Sequence, residues 1–198
     1  MSLHKLRRFV GDIATLVDSG VNEARLLEQG AHALRELIRV DDWLPDVYVQ
    51  PSVERYQQCL LYADARERFS VVCFVWGPGQ HTPIHDHTVW GLIGVLRGAE
   101  LAAPYARNDD GTLRRTGAEV RLEAGDVEAV SPGIGDIHRV RNAHDDRTSI
   151  SIHVYGANIG AVRRSTYTPD GLARPFISGY SNDTLPNLWG LSKEQHYR

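Results

Sequence analysis

Two stretches near the start of the chain place apolar residues at helical spacing, and the remainder falls into short alternating or continuous apolar runs. Over residues 6–17, Leu6, Phe9, Val10, Ile13, Leu16 and Val17 recur at helical intervals, and over 24–40 the residues Leu26, Leu27, Ala31, Leu34, Leu37 and Ile38 repeat the pattern. This spacing predicts two amphipathic helices joined at Ser19-Gly20. From Trp43-Leu44-Pro45 onward the texture changes to β-branched and aromatic runs at 69–75, 90–96, 100–105, 119–122, 127–130, 138–140 and 148–155, separated by Gly, Pro, Asn and Asp. Arg107-Asn108-Asp109-Asp110-Gly111 is a strong hairpin turn between two of these runs. Many short strands with no helices between them predict an antiparallel sandwich or barrel. The expected organisation is one mainly β domain over residues 1–198: a helical cap at 1–45, a β-barrel at 46–165, and a segment at 166–198 that wraps the surface.

Composition narrows the chemistry. A chain of 198 residues suits one domain with a sizeable core. The net charge of -3 comes from interspersed acids and bases, so no basic stripe is available for nucleic acid. The helix pair is not read as a DNA-binding element either, because Glu23, Glu28 and Glu36 stand among its arginines. Small-molecule chemistry is the expectation, with no nucleic-acid or membrane partner and no oligomeric state fixed. Neither a signal peptide nor a spanning apolar run is evident, and Cys59 and Cys73 carry no disulfide pattern, which together predict a reduced, cytoplasmic protein.

The chemistry-bearing residues lie in two elements, Gly79-x5-His85-x-His87-x3-Gly91-x6-Gly98 and Gly125-x6-Pro132-x2-Gly135-x2-His138-x3-Asn142. Two histidines one residue apart on an extended chain point to the same side, so both imidazoles can hold one metal ion. His138 comes about fifty residues later, where a returning antiparallel strand brings it beside them. Asp86, between the pair, points to the opposite face and is expected to be a supporting carboxylate. His81 stands outside the spacing and is expected in a loop, while His4, His32, His144 and His196 are solitary and carry no such pattern. Together the two elements resemble the halves of a cupin metal site, with one departure: the usual cupin glutamate falls at Gly91, which has no side chain. An ion held by His85, His87 and His138 then has three neutral ligands and up to three open positions, more than a structural site keeps free. Imidazole suits zinc, copper, iron or nickel, and without a protein anion the ion favours an anionic substrate such as a thiolate.

Ser149-Ile150-Ser151-Ile152-His153-Val154-Tyr155 alternates strictly. Ile150, Ile152 and Val154 share an apolar face, and Ser151, His153 and Tyr155 share the other. A solvated strand more often carries charges or threonines in such positions. A hydrogen-bonded relay is therefore predicted, in which Ser151 orients His153 and His153 orients the Tyr155 hydroxyl.

On these residues the chain resembles the thiol dioxygenases, the cysteine dioxygenase-like cupins, over most of its length from about residue 56 to residue 164. The resemblance implies one ferrous ion per chain on His85, His87 and His138. It further implies addition of both atoms of O2 to the sulfur of a small thiol to give a sulfinic acid, with Ser151, His153 and Tyr155 as the outer relay. The mammalian-type enzymes place at Gly91 a cysteine cross-linked to the tyrosine that corresponds to Tyr155, and glycine cannot form that thioether. They also hold the substrate carboxylate with an arginine where Gln58 stands here. This pattern is similar to the bacterial glutamine-type branch, which prefers 3-mercaptopropionate over cysteine, and it implies Gln58 and Arg164 as substrate-binding residues. The alternatives are a true cysteine dioxygenase and a non-enzymatic cupin that senses a metal or metabolite; the Ser151, His153 and Tyr155 line has no evident use in the latter.

Overall fold

The apolar stripes of the first forty residues form two helices, α1 (His4–Asp18) and α2 (Glu23–Ile38), in a computed structural model that describes residues 3–190. Asn22 begins α2 by accepting a hydrogen bond from the Arg25 amide at 3.0 Å, the usual service of an asparagine N-cap. At the other end the buried Trp43 indole donates to the Leu37 carbonyl at 3.0 Å, so the tryptophan that closes the helical region also satisfies one of the helix's last carbonyls. Among the described residues no helix is long and apolar enough to cross a membrane.

Twelve strands come next: β1 (Gln57–Ala63), β2 (Ser70–Trp76), β3 (Ile84–His85), β4 (Gly91–Arg97), β5 (Ala99–Arg107), β6 (Leu113–Arg115), β7 (Val120–Glu123), β8 (Val127–Val130), β9 (Ile137–Asn142), β10 (Ser149–Tyr155), β11 (Arg164–Tyr167) and β12 (Ala173–Phe176). They make two antiparallel sheets, one in the order β1-β2-β10-β4-β8, the other β12-β11-β3-β9-β5-β6 with β7 also on β5. The chain is thus mainly β, with an N-terminal helical pair and the antiparallel barrel expected of a cupin.

The alternation in β10 divides the molecule. Ile150, Ile152 and Val154 join Leu34, Leu37, Ile38 and Leu92 in the larger apolar core, where the helices cover the first sheet. Val72, Phe74, Trp76, Ala102, Val140 and Tyr155 fill the barrel interior. Close approach of helix to sheet needs Gly94, because a Cβ there would lie 2.9 Å from Ile38 and 3.0 Å from Leu34. Gly98 makes the β4–β5 turn at φ +74°, and a Cβ there would sit 2.4 Å from the Ser149 hydroxyl.

Two expectations need correction. The barrel does not end at residue 165: β11 and β12 extend the second sheet to Phe176. They are short and carry Ser, Thr, Arg and Pro rather than an apolar alternation, which is why the pattern hides them. The Arg107–Gly111 turn does close a hairpin, with the Asn108 amide donating to Thr112 O at 2.8 Å, but it leads into the unanticipated β6 before β7. Of the C-terminal segment, the part after β12 lies along the free edge of β1. Ser181 N donates to Gln58 O at 2.8 Å, Ser181 Oγ accepts from Gln58 N at 2.9 Å, and Asn182 exchanges two bonds with Leu60. This covers a sheet edge that would otherwise be open. His196 and the rest of the tail beyond residue 190 lie outside the described residues.

Leu34 is fully buried between the helices and the first sheet, away from the barrel interior. Leu34→Ala should therefore lower unfolding free energy by roughly 2–5 kcal/mol in urea titrations, while leaving metal affinity within about twofold of the parent protein.

Candidate metal centre

His85, His87 and His138 converge because β3 pairs with β9 in a register that sets His85 directly against His138. One ring nitrogen from each lies within 4.8 Å of the others, and all three side chains are buried. Burial lowers the pKa of each, His85 to about 4 and the other two well below the usual histidine value, so they are neutral donors at physiological pH. Two of the rings are held from behind. His85 Nδ1 donates to the Pro83 carbonyl at 3.1 Å, and His87 Nδ1 donates to Asp136 Oδ1 at 3.0 Å, which directs both Nε2 atoms toward the shared space. Three neutral imidazoles at one wall of a cavity fit a divalent ion.

Asp136 also accepts the His87 amide at 3.1 Å and the Thr88 amide at 2.9 Å, fixing a turn in which Thr88 has φ 61°. The sequence reading missed it. The available signal was its position two residues before His138, hence on the same side of an extended chain. Asp86 points away as expected and ties β3 to β11, accepting from Ser165 N at 2.8 Å and the Tyr167 hydroxyl at 2.5 Å. His81 is in the loop before β3, exposed and bridged to Arg141.

The polar face of β10 forms a continuous line: Ser151 Oγ to His153 Nε2 at 2.7 Å, then His153 Nδ1 to the Tyr155 hydroxyl at 2.8 Å. Trp76 Nε1 donates to Ser151 Oγ at 3.2 Å. Burial holds His153 near pKa 3 and pushes Tyr155 up, so neither is charged near neutrality. The Tyr155 ring stacks on His87 at 5.3 Å between centroids. Behind it stands Gly91, where a Cβ would come within 2.9 Å of the ring and 3.0 Å of Val130. The missing side chain is filled by the tyrosine itself.

The three histidines, His153 and Tyr155 line a cavity of about 190 Å³ that also includes Gln58, Arg164, Tyr56, Phe74 and Ser178. Arg164 is only 5% exposed and lies over the Phe176 ring at 4.7 Å. It donates to Ser178 Oγ at 2.7 Å, but its Nε has no partner among the described residues. Gln58 Nε2 donates to Ser178 Oγ and to Gly179 O, each at 3.1 Å. Ser178 therefore joins the two residues expected near the substrate, and nothing in the local sequence marked it. Among the described residues lining the cavity there is no Asp or Glu.

The family model described as cysteine dioxygenase type I matches residues 33–166. Among solved structures, the chain is similar to an uncharacterized conserved protein with a double-stranded β-helix domain from Klebsiella pneumoniae, at 23% identity and a TM-score of 0.46, covering 58% of this chain and 89% of that one. It is also similar to an RmlC-like cupin protein from Desulfovibrio desulfuricans, at 23% identity and a TM-score of 0.42, covering 55% and 88% of the two chains.

Asp136→Asn removes the negative charge behind His87 while keeping a side chain of the same shape. It should weaken divalent-ion binding by roughly 10- to 100-fold in competition with a chromogenic chelator, and unaltered affinity would mean that Asp136 only shapes the loop.

Proposed function

Since the chain belongs to the cysteine dioxygenase type I family, we propose that it is an iron-dependent thiol dioxygenase that converts a small thiol carboxylate, 3-mercaptopropionate ahead of cysteine, to its sulfinic acid. The observation that carries the reading is the Ser151, His153 and Tyr155 line, which delivers a phenol hydroxyl to the cavity where three neutral imidazoles converge. A passive metal binder has no evident need for it. The reaction adds both atoms of one O2 to the substrate sulfur, RSH and O2 giving RSO2H with no other reductant.

His85, His87 and His138 would hold one ferrous ion per chain. When bound, such an ion supplies the redox chemistry that lets ground-state dioxygen react with a thiolate. The remaining work falls to the side chains around it. Arg164, which lines the cavity, pairs with the substrate carboxylate and so fixes the distance from carboxylate to sulfur. Gln58 lines the cavity and supports this anchor through Ser178, since its amide hydrogens are already directed to Ser178 and Gly179. Tyr155 stays protonated and orients the reacting groups by donating a hydrogen bond. Phe74, Trp76 and Tyr56 give the cavity an aromatic wall.

Substrate choice follows from charge. Cysteine would carry an ammonium into a cavity whose lining holds Arg164 and no carboxylate. A thiol acid without an amine avoids that penalty. We place the protein in the cytoplasm, where the thiols of Cys59 and Cys73, which stand opposite each other across β1 and β2 and are free, stay reduced.

The deciding experiment is catalytic efficiency on 3-mercaptopropionate and cysteine side by side, measured by oxygen consumption; preference for cysteine would overturn the substrate assignment. Arg164→Ala should raise KM for thiol carboxylates tenfold or more, the loss of a charge-assisted pair of about 1.5–3 kcal/mol, with a much smaller effect on cysteamine. Tyr155→Phe should retain iron and fold while kcat falls by roughly ten- to a thousandfold. Unaltered turnover on every thiol would remove the hydroxyl from the mechanism.

A further inference from the structure

Glu100 is a side chain of the barrel interior that neither packing nor the proposed chemistry accounts for. It is 0% exposed, and neither carboxyl oxygen completes a hydrogen bond of ordinary length and angle among the described residues, although Ser151 and Trp76 face it. An unpaired buried carboxyl of this kind requires an explanation. Its place is set by register: on β5, Pro104 pairs with His138, Ala102 with Val140 and Glu100 with Asn142, so Glu100 faces inward at the end of the barrel away from the histidines. Ser151 and Trp76, the same two that begin the line to Tyr155, face its carboxyl closely enough to lower its pKa.

Each member of that line is constrained. A neutral imidazole donates from one nitrogen and accepts at the other, and a hydroxyl donates once. If a protonated Glu100 donates to Ser151 Oγ, then Ser151 donates to His153 Nε2, His153 Nδ1 donates to the Tyr155 oxygen, and the Tyr155 hydrogen is left to point into the cavity. If Glu100 is ionised, Ser151 donates to it instead, His153 donates from Nε2 to Ser151, and the tyrosine hydrogen turns back to His153 Nδ1. In both arrangements Trp76 donates to Ser151 and every member of the line is satisfied. We propose that Glu100 is a positioning residue whose protonation sets the direction of the Ser151, His153 and Tyr155 line, and so decides whether Tyr155 presents a hydrogen or a lone pair to the substrate.

The surroundings place that change within reach of ordinary pH. Burial raises the Glu100 pKa to about 7, helped by Glu128 from β8. Opposite it stand Asn142 on β9 and Leu122 on β7, neither of which titrates. The other titratable groups that its charge reaches are Tyr155 on β10 and Cys73 on β2. No Lys or Arg among the described residues pairs with it.

The effect on turnover rests on the thiol dioxygenase reading, whereas the direction of the line does not. The first test is therefore the His153 tautomer, read by long-range proton–nitrogen correlation in the full-length protein loaded with diamagnetic zinc. Between pH 5.5 and 8.5 the His153 proton should move from Nδ1 to Nε2. In Glu100→Gln, and in Glu100→Leu should the glutamine variant fold poorly, the tautomer should no longer depend on pH. A tautomer that is constant in the parent, or a shift that persists in both variants, overturns the proposal. In iron-loaded enzyme, the ratio of variant to parent kcat should rise roughly tenfold or more between pH 6 and 8.5 for the leucine variant. If no thiol is oxidised while the tautomer shift is seen, the functional reading fails and the Glu100 assignment stands. A raised folded-state pKa means that Glu100 contributes stability below its unfolded value and loses it as pH rises through about 7, so Glu100→Gln should match the parent near pH 5 and exceed it in urea midpoint at pH 8.5.

Discussion

β10 is paired along both edges, with β2 over its whole length and with β4 in unbroken register from Ser151 to Tyr155. A strand so held has no freedom to tilt or slide, and a shift of one residue would exchange its apolar and polar faces. Ile150, Ile152 and Val154 are therefore committed to the helices and Ser151, His153 and Tyr155 to the barrel interior. Burying three polar side chains is tolerable only because each bonds the next. The apolar half of one strand thus fixes the geometry of its polar half, and the phenol that meets His87 is placed by contacts with helices on the far side of the sheet.

Gly91 shows the same economy of space. In a strand that is otherwise rich in Leu, Ile and Val, the residue opposite Tyr155 has no side chain, and the tyrosine ring occupies the room. Packing against the Gly91 backbone and Val130 holds the ring in place. The electrostatics are equally spare: the converging ligands are neutral, Asp136 stands behind His87, Asp86 turns away toward β11, and the cavity's charged side chain is Arg164. That distribution suits an anion.

What the sequence made legible is what is local. The helices announced themselves by a period near 3.6, β10 by strict alternation, and the three histidines by a spacing that any extended chain would convert into a shared face. The parts that escaped depend on contacts between distant segments. β11 and β12 have no apolar alternation because they are short and border the cavity, and β3 is two residues long. Asp136 is one acid among many until the His87 loop is laid against it. Ser178 sits in a tail without periodicity, and becomes part of the cavity only because residues after β12 return to β1. Glu100 reads as an ordinary acid in a strand; its burial away from water and, among the described residues, from any Lys or Arg is a property of the closed barrel.

The return of the tail also orders events in time. A chain emerging from the ribosome has His85, His87 and His138 in hand well before Ser178 and Asn182 exist. The histidine cluster needs only β3 and β9 to meet, whereas the wall behind Arg164 needs the last segment to settle on β1, the same contact that covers the sheet's edge. An unfinished cavity and an open, adhesive edge are therefore one and the same state of the molecule. Completion of the site and protection from pairing with another chain arrive together.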